Sequence, residues 1–277
     1  VQATLAKNRC LSLAFFTFAS MYPELFRIGS FTVQSYGFMI LTGVLLAWWY
    51  MYRNTRAYKL GSEDISEFFL YGFIAVFVGG KIFFYLEDPM RYIKDPARML
   101  ESPGSGFVFY GSFLVAVPVF IWWFRKRKLP VLAMFDIVGA GGTLVHGFGK
   151  IGCLLAGCCH GKACDPKWGI VYSHPKTHAD PVGVPLYPTQ LLDAALILGL
   201  FLVIAWLHKR KRFDGQLFLL YAIVYAIGRF FTEFLRGDEE RGFLFGGLLS
   251  YSQLIALVVL GVGLFFYFRL RRNPIVR

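Results

Sequence analysis

Of the 277 residues, 56% are hydrophobic and only 17% are charged, against about 25% charged in an ordinary soluble domain. With 30 Phe and 15 Tyr, the chain carries more apolar side chain than one water-soluble core can hide, which points to an integral membrane protein. The formal net charge of +12 raises nucleic acid as a partner, but the placement of the basic residues excludes it.

In chain order, residues 1–30 come first as an N-terminal extension on the outer surface. Lys7 and Arg9 precede the apolar stretch CLSLAFFTFAS, which has the make-up of a short signal-peptide core. Seven runs then approach the roughly 20 residues that a helix needs to cross a bilayer. They are Thr32–Tyr52, Glu67–Leu86, Phe107–Phe124, Val131–Leu155, Pro188–Leu207, Gln216–Leu235 and Gly247–Phe268. Backbone groups inside hydrocarbon must be satisfied within their own segment, so helices are the default. The expected fold class is therefore all-α: a polytopic membrane protein with seven transmembrane helices in one domain, residues 31–277. Residues 156–187, rich in Gly and Pro, read as an ordered extracytoplasmic loop.

The cations set the orientation. Arg53, Arg56 and Lys59 follow the first run, and Arg125, Lys126, Arg127 and Lys128 follow the third. Lys209, Arg210, Lys211 and Arg212 follow the fifth, and Arg269, Arg271, Arg272 and Arg277 follow the seventh. Such crowding at alternate helix ends satisfies the positive-inside rule. The C-terminus is expected in the cytoplasm and the N-terminus outside.

Three cations remain within the apolar runs: Lys81, Lys150 and Arg229. Each costs about 2.5–3.5 kcal/mol to insert, so each marks a candidate functional site. With the expected orientation all three sit in the outer halves of their helices. Tyr36, Tyr110 and Gln190, near the starts of the inward-running helices, lie at the same level. Six polar groups at one depth suggest an outward cavity for an anion, and the anion abundant there is a lipid phosphate. Glu233 lies one turn after Arg229 and can pair with it, and Asp193 follows Gln190 by three residues. Asp136 and Glu67 fall too far inward to neutralise the cluster. The competing reading is that each cation snorkels or pairs internally.

The stretch HGFGKIGCLLAGCCHGKAC, residues 146–164, closes the fourth run. His146, Lys150 and Cys153, spaced i, i+4, i+7, share one helical face. Gly147, Gly149 and Gly152 between them allow a neighbouring helix or headgroup to approach the backbone. The spacing of Cys153, Cys158, Cys159, His160 and Cys164 matches no standard zinc pattern. A disulfide from Cys158 or Cys159 to Cys164 suits an oxidising outer face; unpaired thiols and a metal site remain open behind it, and no metal or cofactor is counted on. His160 is at hand as a base for a reactive cysteine.

Six segments resemble the bacterial prolipoprotein diacylglyceryl transferases, in order and from about Met21 to the C-terminus. They are Tyr36-Gly37, Gly79-Gly80-Lys81, Phe109-Tyr110-Gly111, Gly149-Lys150-Ile151-Gly152-Cys153 with Gly157 and Gly161, Tyr187-Pro188-Thr189-Gln190-Leu191, and the stretch from Gly228-Arg229 to Leu235-Arg236. The resemblance implies transfer of a diacylglyceryl group from phosphatidylglycerol to the lipobox cysteine of a preprolipoprotein. The enzyme would be a monomer at the outer face of the bacterial inner membrane. Tyr36, Tyr225, Arg229, Glu233 and Gln190 match polar positions of the family pattern. Departures are equally specific. Tyr110-Gly111-Ser112 stands where the family usually has His-Gly-Gly, Lys81 and Lys150 stand at its arginines, and Cys153 stands at its asparagine. Tyr187 replaces the His of its H-P-x-Q motif, and Leu192-Asp193 its Tyr-Glu. Lysine lacks the bidentate fork of arginine, so those exchanges alter how a phosphate is held. If the reaction is kept, Lys150 and Arg229 hold the phosphate, Tyr110 bonds the headgroup, and His146 is the candidate base, with Lys81 and Cys153 lining the site. A divergent paralogue that binds anionic lipid, or a transporter, are the alternatives.

Overall fold

A computed structural model describes residues 22–95, 108–236, 243–244, 249–272 and 274–275; the side chains of residues 87, 109, 110, 243 and 244 fall outside that description. The apolar stretch within residues 1–20 and the start of the third run at Phe107 also lie outside the described residues.

The long helices fall on the seven apolar runs. They are α1 Ser35–Thr55, α2 Ser62–Glu87, α4 Phe109–Lys126, α5 Val131–Ala156, α6 Thr189–Leu207, α7 Gln216–Thr232 and α8 Tyr251–Leu270, with a short α3, Pro89–Lys94, after α2. Among the described residues, α2, α5, α6, α7 and α8 are long and apolar enough to cross a membrane. Two helices fall short for visible reasons. Helix α4 has only 18 residues and ends in Arg125 and Lys126, and α1 spends its second half on Trp48, Trp49, Tyr50 and Tyr52. Large apolar side chains stand exposed along these helices, among them Phe73, Leu202, Val203 and Val258. A soluble monomer rarely shows so much apolar surface, so the chain is a multi-pass membrane protein.

The first run corrects in one respect. Thr32–Gln34, expected as the start of a helix, belong to a hairpin of β1 Glu24–Ile28 and β2 Phe31–Gln34. Ile28 pairs with Phe31 across Gly29-Ser30, and Gly29 takes φ +61, the left-handed backbone that tight hairpin turns require. Two further two-residue ladders join β3 Ile170–Val171 to β4 Pro185–Leu186 and β5 Phe243–Leu244 to β6 Leu249–Ser250.

The contacts divide the chain into two compact units, residues 48–135 and residues 1–47 with 136–277. In the first, α2 lies on α4 where Gly79 meets Gly111: a Cβ on either would stand 2.5 Å from the other's carbonyl oxygen. Phe68 stacks among Phe120, Trp123 and Phe124, at centroid distances of 4.6, 5.2 and 5.6 Å. Arg127 bridges to both Asp64 and Glu67, so Glu67 has a structural partner. Lys81 sets its ammonium over the rings of Phe84 and Tyr85, at 5.6 and 5.9 Å. Tyr110 lies in the first turn of α4, and its side chain is outside the described residues.

In the second unit, Asp136 is fully buried near the start of α5. Its carboxylate accepts from the backbone N–H groups of Gly215, Leu217 and Phe218 and pairs with Lys211 at 2.8 Å. One acid thus satisfies the exposed N–H groups at the start of α7, where a negative charge also suits the helix dipole. Ile197, Leu200 and Ile204 of α6 and Leu217 of α7 are buried in this unit. Gly152 of α5 carries the first turn of α1, because a Cβ there would stand 3.1 Å from the Cα of Tyr36. Close backbone approach through small residues is how helices gain contact in lipid, where apolar transfer supplies no driving force.

Candidate active site

Four helix ends and one loop meet in the second unit: the last turns of α5 and α7, the first turns of α6 and α8, and residues 157–188. The loop follows from local chemistry. Gly157 stops α5 at φ +82, and a Cβ there would collide with Thr177. Beyond it, Ile170, Tyr172, Ala179 and Leu186 are buried together, with Leu154, Leu155 and Val184 against them. Thr189 Oγ1 donates to the Cys159 carbonyl at 2.8 Å, and Gln190 Nε2 donates to the Cys158 carbonyl at 2.7 Å. On the α7 side, Gly161 and Arg236 form a β-bridge and Lys162 N donates to Leu235 O at 2.9 Å. The hairpin ties in as well, through Lys176 Nζ at 2.7 Å from Glu24 Oε1, an ion pair that lowers the Glu24 carboxyl below its ordinary value.

Within this frame the embedded cations have partners. Lys150 Nζ sits 2.7 Å from Asp193 Oδ2 on α6. Arg229 Nη2 sits 2.5 Å from Glu233 Oε2 and 3.3 Å from Ser252 Oγ of α8. Glu233 Oε1 in turn accepts from Ser250 Oγ at 2.9 Å. Internal pairing, the reading set against a free cationic cavity, holds for both. It is incomplete, because Arg229 Nη1 is buried and has no hydrogen-bond partner among the described residues. Arg236, just beyond the end of α7, sits in this neighbourhood and lends its positive field to Cys159, as Lys150 does. Among the described residues, Lys150, Arg229 and Arg236 gather here with Asp193 and Glu233.

His146 joins a different set. Its Nδ1 is 2.8 Å from Tyr221 Oη, and its ring stands edge-on to Tyr225 at 4.8 Å. Tyr221 was not singled out in the sequence, although its i, i+4 spacing from Tyr225 places both on one face of α7. Tyr36 lies with its ring against Gly152. Gln190, expected at a headgroup, is fully buried and clamps the loop; it also donates to Tyr172 Oη at 3.2 Å, while its Oε1 has no partner among the described residues. Burial pushes the Tyr172 hydroxyl up to about 12, against the lowering effect of that hydrogen bond.

The four described cysteines are free thiols. The sulfurs that come together are those of Cys153, Cys158 and Cys159, all within 4.8 Å of one another. Cys164, expected as a bridge partner, is not in that group. Hydrogen bonds from Cys153 and Cys158, with Arg236 and Lys150 adding to them, hold the Cys159 thiol far below its ordinary range. His160 is no base for these thiols: its Nδ1 bonds Gly161 O at 2.8 Å and its Nε2 accepts from Asp180 N at 3.3 Å. Lys81 and Tyr110 belong to the other unit.

Chemically the second unit offers a buried guanidinium with one donor unmatched among the described residues, a paired ammonium, a histidine with one ring nitrogen committed, and a soft sulfur cluster. Such a set suits an anionic headgroup and a thiol. The family model for prolipoprotein diacylglyceryl transferase matches residues 23–269. A Clostridium perfringens protein named phosphatidylglycerol–prolipoprotein diacylglyceryl transferase 2 is 35% identical over 235 residues, covering 85% of this chain and 90% of its own. A Clostridium tetani transferase of the same name is 33% identical over 248 residues, covering 89% and 97%. One from Vibrio cholerae is 30% identical over 262 residues, covering 89% and 90%.

Proposed function

Because the chain belongs to the prolipoprotein diacylglyceryl transferase family, we propose that it moves the diacylglyceryl group of phosphatidylglycerol onto the lipobox cysteine of a preprolipoprotein. A thioether forms and glycerol phosphate leaves. The observation that carries this reading is Arg229, a buried guanidinium fixed by Glu233 and Ser252, with Nη1 unmatched among the described residues. A phosphate oxygen is the group such a donor wants, and a fixed cation at the leaving phosphate stabilises charge as it develops.

Lys150 supports the same oxygens, sharing its ammonium between Asp193 and the lipid. Tyr36, Tyr225 and Gln190 shape the space for the headgroup. The acceptor's proton passes to His146. In the tautomer whose Nδ1–H donates to Tyr221, Nε2 is left as the acceptor that a general base needs. Seven transmembrane helices with the N-terminus outside would open this end of the protein to the outer face of the inner membrane, where preprolipoproteins emerge. The protein acts as a monomer and needs no second subunit for the site.

Reconstituted protein supplied with phosphatidylglycerol and a lipobox peptide tests the proposal through the peptide's mass. A diacylglyceryl gain in the parent protein, lost in Arg229→Ala while lipid and peptide still bind, supports it. No mass gain in the parent under any lipid composition sinks it.

A further inference from the structure

We propose that Cys153, Cys158 and Cys159 hold a zinc ion through three thiolates, leaving its fourth position open for the thiol of the acceptor cysteine. The proposal rests on the transferase function above and adds to its base, His146, a means of holding the acceptor as a thiolate.

Geometry comes first. The three Sγ atoms lie within 4.8 Å of one another. Tetrahedral zinc with Zn–S bonds of about 2.3 Å sets its sulfurs about 3.8 Å apart, so small side-chain rotations close the site. The backbone has been bent to bring these sulfurs together. Cys153 is in the last turn of α5, Gly157 ends the helix, and Cys159 adopts φ +62. That left-handed conformation costs a residue with a Cβ about 1–2 kcal/mol. Thr189 and Gln190 then pin the carbonyls of Cys159 and Cys158 at 2.8 and 2.7 Å. The donors are therefore placed in advance, as a metal site requires.

Alternatives fit less well. A disulfide within the trio strands the third sulfur, and Cys164 stands outside the group. His160 is spent on Gly161 and Asp180, and no fourth His, Cys, Asp or Glu among the described residues completes the group. Closed structural zinc sites use four protein ligands, whereas catalytic ones keep three and leave a position open. Soft thiolates select zinc over magnesium or calcium. Three thiolates around zinc carry one net negative charge and an acceptor thiolate makes it two. Lys150 and Arg236, whose field reaches Cys159, offset that charge.

The chemistry balances without an oxidant. On coordination the acceptor thiol gives its proton to His146 or to water, because a metal-bound thiol is deprotonated outright. Its sulfur then forms a bond to the glycerol carbon of the lipid. The carbon–oxygen bond to phosphate breaks, and the electron pair leaves with glycerol phosphate. Zinc keeps its charge throughout.

The test uses the full-length protein in detergent, purified without reductant and assayed for metal. One zinc per chain is expected. After chelation, titrated cobalt should give thiolate-to-metal charge-transfer bands and the visible bands of a tetrahedral ion. A lipobox peptide should shift them, and its Cys→Ser version should not. Cys159→Ser should abolish the charge-transfer bands, with Cys164→Ser and His160→Ala keeping them. The parent spectrum decides even if Cys159→Ser misfolds: no thiolate band, or a protein mass two hydrogens short from a disulfide within the trio, overturns the proposal. So does full-rate transfer by metal-free protein, which would leave the transferase function intact. Cobalt bands that respond to the peptide, without any transfer, would keep the site and remove the proposed donor reaction.

Discussion

Lys150 Nζ lies 2.7 Å from Asp193 Oδ2, with the two side chains only 14% and 2% exposed. A buried pair loses stability steeply when one partner goes, by about 3–5 kcal/mol, because the other charge is left unmatched. Lys150→Ala is therefore expected to lower the thermal midpoint markedly, and Lys150→Met with Asp193→Leu should recover most of the loss. If Lys150 also supports the phosphate, the double variant stays slow in transfer although it is stable. Thermal melts beside peptide mass gain separate the two roles.

Arg229→Lys keeps the charge and removes the fork. Glu233 and Ser252 hold Nη2, so only a guanidinium can present a second nitrogen beyond them. A fixed donor at a developing anion is worth about 100–1,000-fold in turnover. The expected result is a loss of that order in the maximal rate with a small change in the phosphatidylglycerol concentration at half-rate. A change confined to half-rate would mean that Arg229 only binds lipid.

Asp136→Asn should destabilise the protein more than any surface exchange. The carboxylate serves three backbone N–H groups and Lys211 together. Burial works to lower the Lys211 pKa, but the charge and hydrogen bond of Asp136 outweigh it and hold Lys211 above the ordinary lysine value. A raised lysine contributes stability that is fully present below the unfolded pKa and fades as pH rises through the folded one. In the parent this contribution is intact at neutral pH. In Asp136→Asn the share owed to Asp136 is lost while Lys211 keeps Asp214 at 2.7 Å, so the cost stays below the roughly 3–5 kcal/mol of a fully broken buried pair. Melting curves at neutral and alkaline pH check both parts.

Gly152→Val drives a side chain into the Cα of Tyr36, 3.1 Å away even for a Cβ. The first turn of α1 must shift, costing about 1–3 kcal/mol as overpacking does. Thermal melts and cysteine crosslinking of α1 to α5 should both register the shift.

Much of the fold was legible from hydropathy, because a helix in lipid must be long, apolar and self-satisfied. What escaped were features set by contacts distant in sequence. Residues 32–34 read as helix since strand and helix share apolar residues over so short a span, and only the Gly29 turn distinguishes them. Asp136 looked like a stray acid near a helix end; its partners lie about eighty residues on, at the start of α7. Lys150 looked unpaired because Asp193 sits on another helix, whereas Glu233 was readable as Arg229's partner from their i, i+4 spacing on one face. The cysteine trio was hidden for another reason: C-x4-C-C becomes a cluster only after two left-handed residues, Gly157 and Cys159, fold the chain back on α5.

The most direct test of the central claim is to count both products of one reaction. Phosphatidylglycerol labelled in its headgroup is supplied to the reconstituted protein with a lipobox peptide. Released glycerol phosphate and diacylglyceryl-peptide are then measured in the same samples over time. Equal amounts rising together are expected. Glycerol phosphate released without lipidated peptide, or phosphatidylglycerol bound with neither product formed, would contradict the transferase account.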